Sequence, residues 1–426
     1  MLAEIEFERD GDCSTCDHLG IVRGVVPSVT ALVLGVAMPG CSENDRGAVP
    51  PVVVEDSAGL IAIQQAKLVA SDGASNDHFG RVALFGSRAL VGAWQDNHAL
   101  GSDAGSAYVF AQTGTTWKQA AKLVATDGAT NDWFGLDVAL SGNTALVGAQ
   151  GANGSVPGDI GAAYVFVDTG SAWAQQAKLT PPNPYGGDYF GESVALDGDT
   201  ALVGAKGQES YAGRAHVFVR SGTAWSFEGT LVPPDVASYF GEHVALSGNT
   251  AVVAAPGTRA AYVYVHSAGI WSFQAKFTAA DGADSNSFGQ SVEVSGNTAL
   301  VGANYGENGG GIKTGSVYVF GRAGDAWSVQ GKLLPPNADA ESFGGSVALL
   351  GDIAVVGSPS TNTVTEYNVG QAHVFARSGG SWTHLSHVEA AGGAEDDHFG
   401  GSVDVSASAV LVGSSLDDVG TATNAG

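Results

Sequence analysis

The sequence predicts an all-β protein, a seven-bladed β-propeller of four-stranded blades whose last blade is incomplete at the C-terminus. Three observations lead there. Phe-Gly recurs at Phe79-Gly80, Phe134-Gly135, Phe190-Gly191, Phe240-Gly241, Phe288-Gly289, Phe343-Gly344 and Phe399-Gly400, in steps of 55, 56, 50, 48, 55 and 56 residues. Around each copy the same four short segments recur in fixed order. Charged residues make up only 14% of the chain, against about 25% in ordinary soluble domains, while glycine reaches 62 copies. Self-similarity at such a period marks an array whose units bury their faces against one another.

Each segment reads as a strand. The first carries a Trp followed five residues later by Lys-Leu, as in Trp117 with Lys122-Leu123. The second begins at Phe-Gly and ends in Val-Ala-Leu. The third, Thr144 to Ala149, is apolar on both faces, as a strand sandwiched between neighbouring sheets must be. Its Gly148 and Ala149 leave room for another backbone. The fourth is Tyr-Val-Phe, at Tyr108, Tyr164 and Tyr318, with His216, Tyr262 and His373 opening its variants. Alternation puts its two aromatics on one face.

The turn between the second and third segments is Gly142-Asn143, Gly198-Asp199, Gly248-Asn249, Gly296-Asn297, Gly351-Asp352 or Gly86-Ser87. Two residues led by a glycine that tolerates positive φ make a tight hairpin. The seventh copy has the weaker Ala407-Ser408. A solenoid of the same period needs polar caps, and the terminal repeats here are not polar. Radial closure is therefore the expected architecture.

The 18 Lys and Arg against 43 Asp and Glu leave a net charge of −25. With no basic run to neutralise phosphates, nucleic acid is excluded as a partner. Scattered acid of this kind serves solubility. The three cysteines, Cys13, Cys16 and Cys41, all precede the repeats, so no disulfide framework supports them. The lone C-x-x-C at Cys13 lacks a partner pair or a βαβ context.

Residues 1–41 read as a signal region. Arg23 precedes an apolar run of about fifteen residues, too short for a comfortable membrane span. Its Gly40-Cys41 end resembles a bacterial lipoprotein signal, which implies lipidation at Cys41, although Met38 and Pro39 depart from that pattern. The acidic stretch Glu4 to Asp17 disfavours export, a conflict that vanishes if translation starts near Val22. Residues 42–59, with Pro50-Pro51, read as a tether, and 60–426 as the propeller.

The repeat, best seen in KLVATDGATNDWFGLDVALSGNTALVGA at Lys122 to Ala149, resembles the short bacterial FG-GAP repeat, related to the seven-bladed head of integrin α chains. The resemblance covers about residues 60–426. It implies an exported adhesive or interaction scaffold, and no activity. It also implies that the Phe-Gly strand is innermost and the Trp…Lys-Leu strand outermost. Ile61 to Leu68 would then be the outer strand of the last blade, with Ala62 in the Trp position. Gly426 stands 27 residues after Phe399, the distance at which Gly161, Gly315 and Gly370 precede their Tyr-Val-Phe strands. A truncated reading frame and an exposed edge are expected there.

Integrin-like repeats often hold calcium in the hairpin, but calcium needs six to eight oxygens. Ser141-Gly142-Asn143-Thr144 offers no carboxylate and Asp197-Gly198-Asp199 only two. No cofactor is expected beyond weak calcium binding in the acidic turns Asp72…Asp77, Asp127…Asp132, Asp281…Asp284 and Glu395-Asp396-Asp397, which read first as turn chemistry. His216 and His373 replace the repeat's Tyr, and His78 and His398 fill the surface aromatic slot of Trp133, Tyr189 and Tyr239. His98, His243, His266, His384 and His387 lack metal-ligand spacing, and no nucleophile or phosphate motif stands in a fitting context. The chain therefore reads as a non-catalytic monomer that binds protein or glycan and meets a membrane only through its N-terminal signal or lipid. The binding loops would be Trp94 to Ser102, Gln150 to Asp159, Asn304 to Thr314 and Ser360 to Val369, with Trp94 and Tyr305 as their aromatics. The alternative is a hydrolase with an acidic site at the channel mouth.

Overall fold

The computed structural model describes residues 53–54, 62–153, 158–279, 287–305, 314–336, 340–363, 365–419 and 422–426. The signal region and Cys41 lie outside them. Six complete blades follow one pattern. The first consists of Phe79–Phe85, Arg88–Ala93, Ser106–Thr113 and Thr116–Leu123, paired antiparallel in sequence order. The next five span 138–179, 190–231, 244–277, 288–333 and 346–388. The seventh retains Ser402–Val405 paired with Val410–Gly413.

The first strands of successive blades touch in turn, and the seventh touches the first, so the ring is closed and the Phe-Gly strands are innermost. Their inner edges are tied by side chains. Asp137 accepts from the Val194 amide (2.8 Å), Ser193 from Val244 (3.1 Å) and Ser402 from Val82 (3.1 Å). Lower down, Ser141, Ser247 and Ser295 accept from Gly198, Gly296 and Gly351. A short hydroxyl or carboxylate thus satisfies an edge amide that no further strand would reach.

Within each blade the aromatic packing is repetitive. Phe134 sits edge-on to Tyr164 and Phe166, with centroids 5.5 and 5.8 Å away. Phe240 does the same with Tyr262 and Tyr264, and Phe190 sits edge-on to Phe218 and tilted against His216. His216 and His373 occupy the tyrosine position and are buried. In the hairpins the glycine alone takes positive φ, +61° at Gly142, which is the type II′ pattern.

The two chain ends meet in the seventh blade. Ala62–Ile63 pairs with Val53–Val54 and lies beside the outer strand of the sixth blade. Gln64 Oε1 accepts from the Ala391 amide at 3.1 Å, just as Gln119 does from Ser71 and Gln175 from Thr126. Lys67 pairs with Asp417 where, in the first blade, Lys122 pairs with Asp96. Gly426 donates to the Asp417 carbonyl at 2.8 Å, as Gly105 does to Asp96. Residues 64–68 therefore stand where the resemblance puts an outer strand.

Candidate functional site

The residue before six of the seven Phe-Gly pairs carries unusual backbone. His78, Trp133, Tyr189, Tyr239, Ser342 and His398 have φ between +53° and +61°. A bulky residue with positive φ is strained, and such strain gathers at ligand sites. The preceding blade's loop enforces it. Trp133 donates to Asp103 O (3.2 Å), Tyr189 to Asp159 O (3.1 Å) and Tyr239 to Tyr211 O (2.8 Å). The aromatic side chains are thereby aimed to one face of the ring.

Two aromatic groups result. His78 stacks on Trp94 at 5.1 Å, and Trp94 meets Trp133 edge-on at 5.6 Å. Tyr211 bridges Tyr189 and Tyr239, with centroids 6.4 and 5.6 Å away. Tyr211 ends the short helical turn Gln208–Tyr211, in which Glu209, Ser210 and Tyr211 all have left-handed φ of +52°, +58° and +68°. Buried Gln208 anchors that turn. Its Nε2 donates to Asp188 (3.1 Å) and its Oε1 meets His216 Nε2 (2.9 Å).

Trp133, from the first group, and Tyr189, Tyr211 and Tyr239, from the second, line an open concavity of about 490 Å³ together with Gln150, Asp159, Lys206 and Glu242. Lys206 pairs with Glu192 and lies 3.7 Å from Glu242. Burial pushes the Glu192 carboxyl up to about 7 despite that lysine. Trp133 Nε1 and Gln150 Oε1 are buried without a hydrogen-bond partner. Four aromatic and four polar or charged residues thus line one concavity, a composition found at small-ligand sites.

A family model described as FG-GAP repeat matches residues 63–110, 117–166, 173–218, 225–265, 271–320, 327–375 and 382–426. The chain belongs to the FG-GAP repeat family. No curated protein matches this FG-GAP chain. Among solved structures it is similar to a putative 6-phosphogluconolactonase of Bacteroides uniformis, at 12% identity and a TM-score of 0.52, covering 78% of this chain and 89% of that one. It is also similar to the periplasmic gluconolactonase PpgL of Pseudomonas aeruginosa (15% identity, TM-score 0.49, 80% and 92% covered). A third is Sqt1 of Chaetomium thermophilum bound to the N-terminus of ribosomal protein L10 (14%, 0.46, 78% and 80%). At these identities the likeness is one of fold.

In this FG-GAP ring three of the hairpins are held by an arginine. Arg322 Nε donates to Asn297 (2.9 Å), its Nη1 to Thr250 of the previous blade (3.0 Å), and its guanidinium covers Trp327. Arg220 and Arg377 repeat this with Asp199 and Asp352, so these hairpin carboxylates are paired and do not fit a calcium site. The acidic turns are likewise engaged. Asp72 takes Lys122 and Tyr108, and Asp127 takes Lys178. Asp77, Asp132 and Asp397 accept from amides three residues back. Among the described residues no three metal-ligating side chains cluster, while Asp281 and Asp284 lie outside them.

Trp94 is half-buried in the aromatic row, whereas Tyr305 is 60% exposed and apart from the cavity. Of the expected loops, Gln150 to Asp159 contributes its two end residues. Sequence reasoning missed the loop 206–213, and with it Lys206 and Tyr211. It also set aside Trp133, Tyr189 and Tyr239, whose recurrence in one slot was the available signal.

Proposed function

We propose that this FG-GAP propeller is an exported, envelope-anchored scaffold that binds glycan, non-catalytically, in the aromatic cavity between Trp133 and Tyr239. The carrying observation is the concavity itself, where Trp133, Tyr189, Tyr211 and Tyr239 stand beside the polar side chains of Gln150, Asp159, Lys206 and Glu242. Sugars present apolar ring faces to aromatics and hydroxyls to such polar atoms. Aromatic anchors carry a large share of binding energy at sites of this kind. The anchor would be lipid on Cys41, with 42–59 as tether and the chain a monomer. The test is titration of envelope glycans into purified protein. Trp133→Ala and Tyr239→Ala should each weaken binding at least about tenfold, a loss of about 1.4 kcal/mol, with melting curves near that of the parent. Affinity unchanged by both substitutions would remove the reading.

One observation favours a second reading. Glu192, held near neutrality beside Lys206 and Glu242, has the form of a general acid, as a hydrolase requires. Turnover of a lactone or glycoside abolished by Glu192→Gln would decide for it.

A further inference from the structure

The aromatic surface does not end at the rim of the concavity. Trp133 lines it and also stands edge-on to Trp94 at 5.6 Å, and Trp94 in turn stacks on His78 at 5.1 Å. On the other side come Tyr189, Tyr211 and Tyr239, with neighbouring centroids 6.4 and 5.6 Å apart. His78, Trp133, Tyr189 and Tyr239 precede the Phe-Gly pairs of four consecutive blades, so this slot is aromatic in all four. Ser287 and Ser342 fill it in the next two, where the row stops. Every ring of the row keeps some surface in solvent. His78, Trp94, Trp133 and Tyr189 are half-buried, and Tyr211 and Tyr239 are exposed.

The end of the row over the first blade is held by its own loop. Trp94 opens that loop, in which His98 and Gly101 exchange backbone hydrogen bonds of 3.3 and 3.0 Å. His98 Nε2 lies 3.0 Å from the Gly105 carbonyl oxygen, and the Asp103 amide donates to Asn97 Oδ1 at 3.0 Å. The Asp103 carbonyl then accepts from the Trp133 amide, so the loop that carries Trp94 also fixes Trp133. A surface built before its ligand arrives loses little ordering entropy on binding.

Charge narrows the ligand. Asp159 and Glu242 line the concavity with Lys206, and Lys206 is already paired with Glu192. Acid therefore outnumbers base there, and an anionic sugar would meet like charge. The net charge of −25 on the whole chain adds to that repulsion at longer range.

Resting on the glycan reading above, we propose that the concavity is the inner part of an elongated site for a linear, uncharged glycan longer than a disaccharide. The site runs from Tyr239 to His78 across four blades. Trp133 and the tyrosines hold the inner sugars, and Trp94 with His78 forms an outer subsite that only a longer chain reaches. The second contact is then made within one ligand already bound, which strengthens binding without any change at the first.

The test is calorimetric titration of the full chain with neutral cello-, manno- and chito-oligosaccharides, each as disaccharide and as hexasaccharide. The hexamer of galacturonic acid is the acidic control. In at least one neutral series the hexasaccharide should bind at least about tenfold tighter than the disaccharide, and the control should not bind. Trp94→Ala should cost the hexasaccharide more than the disaccharide and close the gap between them, whereas Trp133→Ala weakens both alike. If Trp94→Ala disturbs the fold, His78→Ala at the outer end makes the same test. Equal affinity for short and long chains, a Trp94→Ala loss shared by both, or tight binding of the galacturonic acid hexamer overturns the elongated site and leaves the glycan reading standing. Binding of envelope glycans together with none of the neutral chains does the same. Absence of binding to any glycan, the envelope pool included, removes both.

Discussion

At the scale of single residues, the Phe-Gly and Val-Gly-Ala signatures explain each other. The glycine of the third sequence segment faces the Phe-Gly glycine of the next blade, and a Cβ on Gly204 would collide with the Gly241 carbonyl oxygen. Gly148 and Gly302 meet Gly191 and Gly344 in the same way. Small residues here set how closely two blades approach, and Phe then fills the space beyond. Gly204→Ala should cost more than the usual surface change, in the about 1–3 kcal/mol range for overpacking. Phe240→Ala, which empties a fully buried site against Tyr262 and Tyr264, should cost about 3–5 kcal/mol. Chemical denaturation of both variants measures these losses. If Gly204→Ala is neutral, the close approach is not what the glycine serves.

At the scale of the element, the hairpin and the third strand form one unit. The guanidinium fork of Arg220, Arg322 and Arg377 ties the Gly-Asx turn, the previous blade's threonine and the following Trp together. A lysine keeps the charge and loses the fork. Arg322→Lys should therefore destabilise by about 1 kcal/mol, and a melting temperature equal to the parent's would refute the latch. This bears on what was legible in the sequence. Strand order, the hairpins and the Phe-Gly core could be read because period-two alternation and a leading glycine are local signals. Arg322 and Thr250 lie 72 residues apart, and no local pattern joins them. The cavity was hidden for the same reason. Trp133, Tyr189 and Tyr239 recur at one slot, but only the backbone twist of that slot shows that they converge, and Tyr211 stands on a left-handed turn that its loop composition did not announce.

At the scale of the whole molecule, burial of ionisable groups sets how stability follows pH. Burial raises Glu293 to about 8 and Glu192 to about 7, and Asp77 and Asp404 to about 6. A raised carboxyl holds its proton more tightly when folded. Its stabilisation is full below the unfolded value and is lost as pH climbs through the folded one. Burial lowers His216 and His243 to about 4, so their folded forms resist protonation and stability falls as pH drops from about 6.5 towards 4. The two effects oppose each other between about pH 4 and 6.5, and above about 6.5 only the carboxyls act, so thermal stability should fall as pH rises from about 6.5 to 8. Glu293→Gln should flatten the alkaline limb and His216→Tyr, the residue other blades use there, the acid limb. A melting temperature constant from pH 4 to 8 would contradict both.

The closure of the ring carries one more consequence, for the order of folding. The bonds that close the ring, from the amides of Val82 to Ser402, Leu84 to Asp404 and Ala391 to Gln64, span 320 to 327 residues. Contacts so distant in the chain form late and slowly. As the chain emerges, blades two to six gain both neighbours one after another, but the first waits with one flank open until the last has been made. Synthesis thus has a vulnerable interval that length alone does not create, and the seam that closes last is the place where a chaperone or a protease would find its opportunity.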